Sequence, residues 1–159
     1  MLFRLVFISL FLMSCSNLNN YTDDVRLNKL GLLEIETNKT YVSKLIEENI
    51  KNAFAIYNTK NSDEKKYTVI LNVNDSIESS LLANSIRKIE MSINYKIIEK
   101  KSNIVLLSDS FSRNSLVGPI NSLFARDQSE INARKRLGIS ISNDMIVRLI
   151  EWASFDMET

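Results

Sequence analysis

The feature that most constrains the fold is a run of strict alternation between residues 86 and 98. One set of side chains is largely apolar: Arg87, Ile89, Met91, Ile93, Tyr95 and Ile97. The other set is polar: Lys88, Glu90, Ser92, Asn94 and Lys96. Successive side chains of a strand point to opposite faces of its sheet, so the run predicts a long strand with one buried face. This pattern is typical of an antiparallel sheet that is covered on one side.

A long amphipathic helix is predicted to provide that cover. The helix runs from Leu123 to about Trp152, and its apolar stripe is formed by Ala133, Leu137, Ile141, Met145, Leu149 and Trp152. Thirty helical residues span roughly 45 Å and thirteen strand residues span roughly 43 Å. The helix is therefore long enough to lie along the strand. Gly138 lies beside the stripe, where the lack of a side chain would permit close packing or a slight bend of the helix.

The remaining periodic segments predict a two-layer domain. We expect a first strand over residues 29–36, a helix from the N-cap Thr40 to Tyr57, a second strand over 67–73 and a fourth over 104–111. Residues 74–80 either extend the second strand or form a connection, and residues 113–122, with Gly118 and Pro119, break the pattern. The order β-α-β-β-β-α predicts an α+β fold, a two-layer α/β sandwich with a four-stranded, largely antiparallel sheet and two helices on one face.

The first fifteen residues are typical of an export signal. Arg4 precedes an apolar run over residues 5–13, which is shorter than the roughly 20 residues of a membrane span. The run ends in Leu12, Met13, Ser14 and Cys15, which resembles the bacterial lipoprotein box, in which the Cys is lipidated and becomes the new N-terminus. The alternative is an ordinary signal peptide with an incidental Cys. We predict a lipoprotein signal peptide at 1–14, the lipidated Cys and a tether at 15–28, one sandwich domain at 29–155 and a tail at 156–159.

The composition points away from an enzyme. The chain of 159 residues has no His and one Cys, which excludes a Ser-His-Asp triad, His-ligated metals and a disulfide framework. Its neighbouring carboxylates lie in the predicted tether, loop and tail, without the apolar surroundings that raise a carboxyl pKa. The near balance of 20 basic and 19 acidic residues argues against nucleic acid as a partner. We therefore expect no catalytic residue, no cofactor and no metal.

Two segments in the last third of the chain carry a family resemblance. They are Asp109-Ser110-Phe111-Ser112-Arg113-Asn114-Ser115 and Phe124-Ala125-Arg126-Asp127-Gln128-Ser129-Glu130-Ile131-Asn132-Ala133. A closing-helix pattern adds Leu137, Ile141, Ser142, Ile146, Arg148 and Leu149. Together with the lipoprotein box and the order of elements, these segments resemble the lipopolysaccharide-assembly lipoprotein, the E subunit of the outer-membrane translocon.

The resemblance implies a function without chemistry on a substrate. Members plug the β-barrel D subunit of the lipopolysaccharide translocon, help it to assemble and contact lipopolysaccharide. The implied location is the periplasmic side of the cell outer membrane, held through acyl chains such as palmitate on Cys15. Ser16 stands where an Asp would favour retention in the inner membrane. The alternative function is a lipid-anchored binding module of the envelope, such as a transport auxiliary lipoprotein, without a barrel partner.

A lipopolysaccharide contact would need cations, because lipid A phosphates and core acids are anionic. Arg suits bidentate phosphate contact and Lys suits point-charge contact. The candidates are Arg87 and Lys88 at the start of the third strand, Arg113 in the loop after the fourth, and Arg126 near the start of the closing helix. We expect them to converge at one end of the sandwich. The alternative is that they are ordinary surface charges or members of salt bridges, and we interpret the run 134–136 as a solvated helix face.

Overall fold

The sheet has four strands in the order β1-β2-β3-β4, and helices pack on one of its faces. The computed structural model describes residues 28–57, 65–79, 86–118, 120 and 122–155. The predicted leader, Cys15, nearly all of the predicted tether and the tail at 156–159 lie outside these residues. The elements are α1 (Asn28–Gly31), β1 (Leu33–Thr37), α2 (Tyr41–Phe54) with a 3₁₀ turn (Ala55–Tyr57), β2 (Tyr67–Ser79), β3 (Arg87–Glu99), β4 (Ile104–Val117) and α3 (Leu123–Ser154).

The topology confirms the predicted α+β sandwich. β1 pairs with β2 in parallel, and the other two pairings, β2 with β3 and β3 with β4, are antiparallel. The parallel pair follows from α2, which crosses between β1 and β2 as the connection of a βαβ unit. The predicted N-cap of α2 is confirmed as well. The Thr40 hydroxyl accepts a hydrogen bond from the Ser43 N–H at 3.1 Å, and the Ser43 hydroxyl accepts one from the Thr40 N–H at 2.9 Å.

The core lies between the sheet and the two long helices. The apolar face of β3 is buried as predicted, with Ile89, Met91, Ile93 and Ile97 fully inaccessible to solvent. The stripe on α3 faces them, and Ala133, Ile141, Met145 and Leu149 are likewise fully buried. Gly138 lies where α3 meets α2, because a Cβ built there would stand 3.0 Å from Val42 Cγ1. Of the two predicted roles of Gly138, this contact supports close packing.

Two predicted boundaries were wrong. Residues 28–31 form the short helix α1, so the first strand begins at Leu33 and not at residue 29. β4 continues to Val117, far past the predicted end at residue 111, because residues 113–117 pair with the first five residues of β3. The open alternative at 74–80 resolves as strand over residues 74–79, since β2 extends to Ser79, and residue 80 lies outside the described residues.

A side chain lengthens the pairing of β2 on its β1 side. The Asn38 amide donates to the Val73 carbonyl at 2.7 Å, and its oxygen accepts from the Val73 N–H at 3.2 Å. The last backbone pair between β1 and β2 joins Thr37 and Leu71. Beyond it, the Asn38 side-chain amide forms the hydrogen bonds with β2 that a further residue of β1 would form.

Candidate functional site

Arg87, the first residue of β3, points to the helical side of the sheet. Its Nη1 donates to Oε1 of Glu130 on α3 at 2.6 Å. Glu130 is only 7% exposed, and a carboxylate so far from water is unfavourable without a partner. Arg87 therefore ties the sheet to α3, and its charge is matched inside the molecule.

Lys88 points to the opposite, solvated face of the sheet. Its Nζ lies 2.9 Å from Oε2 of Glu90 and 3.6 Å from Oε2 of Glu78. The hydrogen bond to Glu90 raises the pKa of Lys88, and the same bond lowers the pKa of Glu90 below its usual range. The sheet thus separates Lys88 from Arg87, and two carboxylates share the lysine charge.

Arg113 lies within β4 and not in the loop where we predicted it. Its Nε and Nη2 donate to the two carboxylate oxygens of Asp144 on α3, at 2.7 and 3.0 Å. This bidentate pair raises the pKa of Arg113. Arg113 is opposite Met91 in the ladder, and Met91 lies four residues along β3 from Arg87. Arg113 therefore lies away from the end of the sandwich where Arg87 is found.

Arg126 differs from the other three candidates. It lies in the first turn of α3 and is half-buried, and its Nε is inaccessible to solvent without a hydrogen-bond partner among the described residues. Glu130, the partner of Arg87, follows one helical turn later, which is about 5.4 Å along the axis. Arg87 and Arg126 therefore lie at the same end and on the same side of the sheet, whereas Lys88 and Arg113 do not join them.

Exposed apolar side chains adjoin Arg126 in the chain. Leu123 and Phe124, at the start of α3, are 67% and 73% exposed. Leu116, near the end of β4, is also largely exposed, but it is opposite Lys88 in the ladder and lies on the solvated face of the sheet. We call the set of Leu123, Phe124 and Arg126 the α3 tip. A cation beside apolar surface can contact both the phosphate and the acyl part of an amphiphile.

A second polar cluster, between β4 and α3, was not predicted as a site, although Asp109, Phe111 and Arg148 belong to the segments that carry the family resemblance. Arg148 Nη1 donates to Oδ2 of Asp109 at 2.6 Å, and the guanidinium lies 4.5 Å above the ring of Phe111. A hydrogen bond with Tyr95 raises the pKa of Arg148, and burial raises that of Tyr95. Such pairs join residues far apart in sequence, so no local pattern reveals them.

Two further observations bear on the possible chemistry. Among the described residues, no group of three His, Cys, Asp or Glu side chains is placed to hold a metal ion. None of the helices in the described ranges is both long enough and apolar enough to cross a membrane.

Three solved structures of bacterial proteins share this fold. A candidate lipoprotein of Caulobacter crescentus matches with a TM-score of 0.64 at 13% identity, over 80% of this chain and 93% of that one. Rare lipoprotein B of Shewanella oneidensis matches with a TM-score of 0.55 at 12% identity, over 80% of this chain and 98% of that one. A minor lipoprotein of Acinetobacter baumannii matches with a TM-score of 0.54 at 10% identity, over 75% of this chain and 91% of that one. At such identities the similarity establishes the fold. No protein-family model and no curated sequence matches the chain.

Proposed function

We propose that this chain is a lipid-anchored subunit of the lipopolysaccharide translocon of the outer membrane. The observation that carries the proposal is the sandwich fold, which the chain shares with structures described as bacterial lipoproteins. The sequence supports it independently, because its one Cys follows an apolar leader and a small residue at the position that the lipoprotein box requires. The role is non-enzymatic: the chain occupies and helps assemble a β-barrel partner and contacts lipopolysaccharide.

The solvated face of the sheet suits the lumen of a barrel. Its central residues are small, polar and uncharged: Asn72, Asn74, Ser92, Asn94, Ser110 and Ser112. The interior of a large outer-membrane barrel is polar and hydrated, and amide and hydroxyl groups form hydrogen bonds there without the desolvation penalty of a charge. This face therefore supports contact with a barrel wall from inside.

The α3 tip is the surface that we assign to lipopolysaccharide. Arg126 has a charge that no carboxylate of the described residues pairs with, whereas Arg87, Lys88 and Arg113 are matched. Leu123 and Phe124 add apolar surface next to it. Phosphates of lipid A would contact Arg126, and acyl chains would contact the two apolar residues.

Isolation of the complex tests the translocon role. A C-terminally tagged chain is purified in mild detergent, and the proteins that co-elute are identified by mass spectrometry. We expect a large outer-membrane β-barrel protein in about equal amount. A pure chain without a barrel, although still lipidated at Cys15, would favour the binding module of the envelope instead.

A matched pair of variants tests the lipid contact. Arg126→Gln removes the cation that no carboxylate of the described residues pairs with, and Lys135→Gln removes an exposed cation from the same helix. We expect the first variant to bind purified lipopolysaccharide roughly tenfold more weakly and the second to bind like the wild type, since a charge-assisted phosphate contact contributes about 1.4 kcal/mol or more. Equal binding by both variants would contradict the assignment. Arg87 is avoided in this test because its loss would leave Glu130 unpaired.

A further inference from the structure

β4 is an open edge of the sheet. It pairs with β3 on one side, and no other strand of the described residues pairs with it on the other. The strand has fourteen residues and contains no Pro. A long edge of this kind presents unpaired N–H and C=O groups that can pair with another strand. What decides the possible partner is the pattern of side chains along this edge.

The regular part of β4 has a centre of symmetry at Phe111. The ladder with β3 is irregular at its start, where Ile97 is opposite Leu107 and Ile98 is opposite Val105, which leaves Leu106 without a partner. Phe111 is the middle of the segment 107–115 that follows this bulge. If the strand meets a second copy antiparallel at that centre, Asp109 lies opposite Arg113, Ser110 opposite Ser112 and Ser108 opposite Asn114. Opposite charges in directly facing positions stabilise a strand pair.

Other alignments lose this match. A parallel pairing in register would place Asp109 opposite the same residue of the second copy, and like charges in facing positions are unfavourable. An antiparallel shift by two residues would place Asp109 opposite Phe111. A shift by one residue would bring side chains of opposite faces together. The charges therefore select one register.

The two facing charges have room for a second partner. The side chains of Asp109 and Arg113 are 44% and 54% exposed, although each already pairs with α3 through Arg148 and Asp144. The second carboxylate oxygen of Asp109 also accepts the Ser110 N–H at 2.7 Å, and each carboxylate oxygen can accept a further hydrogen bond. In the antiparallel pair, each side of the axis would carry an alternating row: Asp144, Arg113, the second copy's Asp109 and the second copy's Arg148. No charge in this row meets a like neighbour.

Apolar surface lies at the same centre. Phe111 and Val147, the latter 54% exposed, line a groove of about 450 Å³ between β4 and α3. On the twofold axis, Phe111 would face Phe111 of the second copy, and the two Val147 side chains would approach from the helices. Aromatic and β-branched pairs add to the stability of facing strands.

We propose that β4 is a self-association surface, through which two copies of this chain form one continuous eight-stranded sheet with the twofold axis at Phe111. The partner is a second copy because the complementary charges lie on one strand. The proposal does not depend on the translocon role, and it can be tested with the purified full chain in mild detergent.

Exchange of complete ion pairs tests the proposal while each charge keeps a partner inside the chain. The variant Asp109→Arg with Arg148→Asp makes both facing positions basic. The variant Arg113→Asp with Asp144→Arg makes both of them acidic. The control, Asp75→Arg with Arg134→Asp, exchanges an equivalent strand–helix pair, 2.7 Å apart, that lies away from β4.

Molar mass is measured by light scattering over a range of concentrations, at about 0.15 M salt. We expect the wild type and the control to dimerise. Each edge variant alone should dimerise at least tenfold more weakly, because two attractive pairs become repulsive. An equimolar mixture of the two edge variants should recover a heterodimer. A monomeric wild type at all concentrations would overturn the proposal, as would dimers of either edge variant as strong as those of the wild type, or a mixture that stays monomeric.

Discussion

At the residue scale, arginines of the sheet are joined to carboxylates of α3. Arg87 pairs with Glu130 and Arg113 pairs with Asp144. In a third pair the arginine is on the helix and the carboxylate is on the sheet, since Arg148 on α3 pairs with Asp109 on β4. The sequence offered Arg87 and Arg113 as cations but could not reveal their partners, which lie 43 and 31 residues away. Arg126 was distinguishable only in the structure, because the lack of a carboxylate partner among the described residues is a property of its surroundings.

The buried pair of Arg87 and Glu130 can be tested by thermodynamic coupling. Arg87→Met leaves a carboxylate that is 7% exposed without its cation. We expect a loss of about 1 to 3 kcal/mol in the free energy of unfolding, measured with urea. Arg87→Met combined with Glu130→Met should be more stable than Arg87→Met alone, since no unpaired charge then remains buried. A double variant as unstable as the sum of the two single variants would show that the pair is not coupled.

Glu47 on α2 is expected to make stability depend on acid pH. Hydrogen bonds from Lys51, at 2.5 Å, and from Thr37, at 2.8 Å, lower its pKa below the ordinary value of 4.5, against the opposing effect of burial. A lowered pKa means that the folded state binds the proton less tightly than the unfolded state. The contribution to stability is therefore present above pH 4.5 and is lost as the pH falls through the folded value.

The measurement compares urea unfolding of the wild type and Glu47→Gln at pH 7, 4 and 3. We expect the wild type to be the more stable at pH 7 and its advantage to shrink in acid. Glu48→Gln, on the exposed side of the same helix, controls for the change in net charge. An advantage of the wild type over Glu47→Gln that stays constant from pH 7 to pH 3 would argue against this role of Glu47.

At the element scale, the sequence predicted the elements in which apolar residues recur at regular spacing along the whole element. The alternation in β3, the stripe on α3 and the cap of α2 were all read correctly, since each is encoded by local spacing. The end of β4 was missed because residues 112–115 are polar on both faces. Pairing with β3 and the contact of Arg113 with Asp144 hold that segment as a strand. Residues 29–32 resembled a strand because Leu30 is apolar, yet Leu30 enters the core from the helix α1.

The crossing of α2 and α3 gives a prediction for Gly138. A Cβ at this position would be 3.0 Å from Val42 Cγ1 and 3.5 Å from Leu45 Cδ2. Gly138→Leu should lower the free energy of unfolding by about 1 to 3 kcal/mol, because the helices must separate. Gly138→Ala should change it by less than about 1 kcal/mol, since the gain in helix propensity offsets a small displacement of Val42. Urea unfolding measures both, and a Leu variant as stable as the Ala variant would refute the tight crossing.

At the whole-molecule scale, the sandwich presents three different surfaces. The solvated sheet face is polar and uncharged at its centre, the α3 tip combines a cation with apolar side chains, and the β4 edge is self-complementary. The sequence predicted that one face of the sheet is solvated. It did not predict the two smaller surfaces, because the surroundings of Arg126 and the contacts between β4 and α3 arise only in the folded chain.

All three surfaces would act at a membrane only if Cys15 anchors the chain there. One acyl chain of a lipid anchor binds a membrane only marginally, whereas two or more hold a protein stably. We therefore expect Cys15→Ser to release the chain from the membrane fraction of lysed cells. The wild type should sediment with outer-membrane markers in a density gradient. Ser16→Asp keeps the anchor and should shift the chain toward the inner membrane, so it separates anchoring from sorting. A Cys15→Ser chain that still sediments with the outer membrane would show that a protein partner, and not the lipid, holds it there.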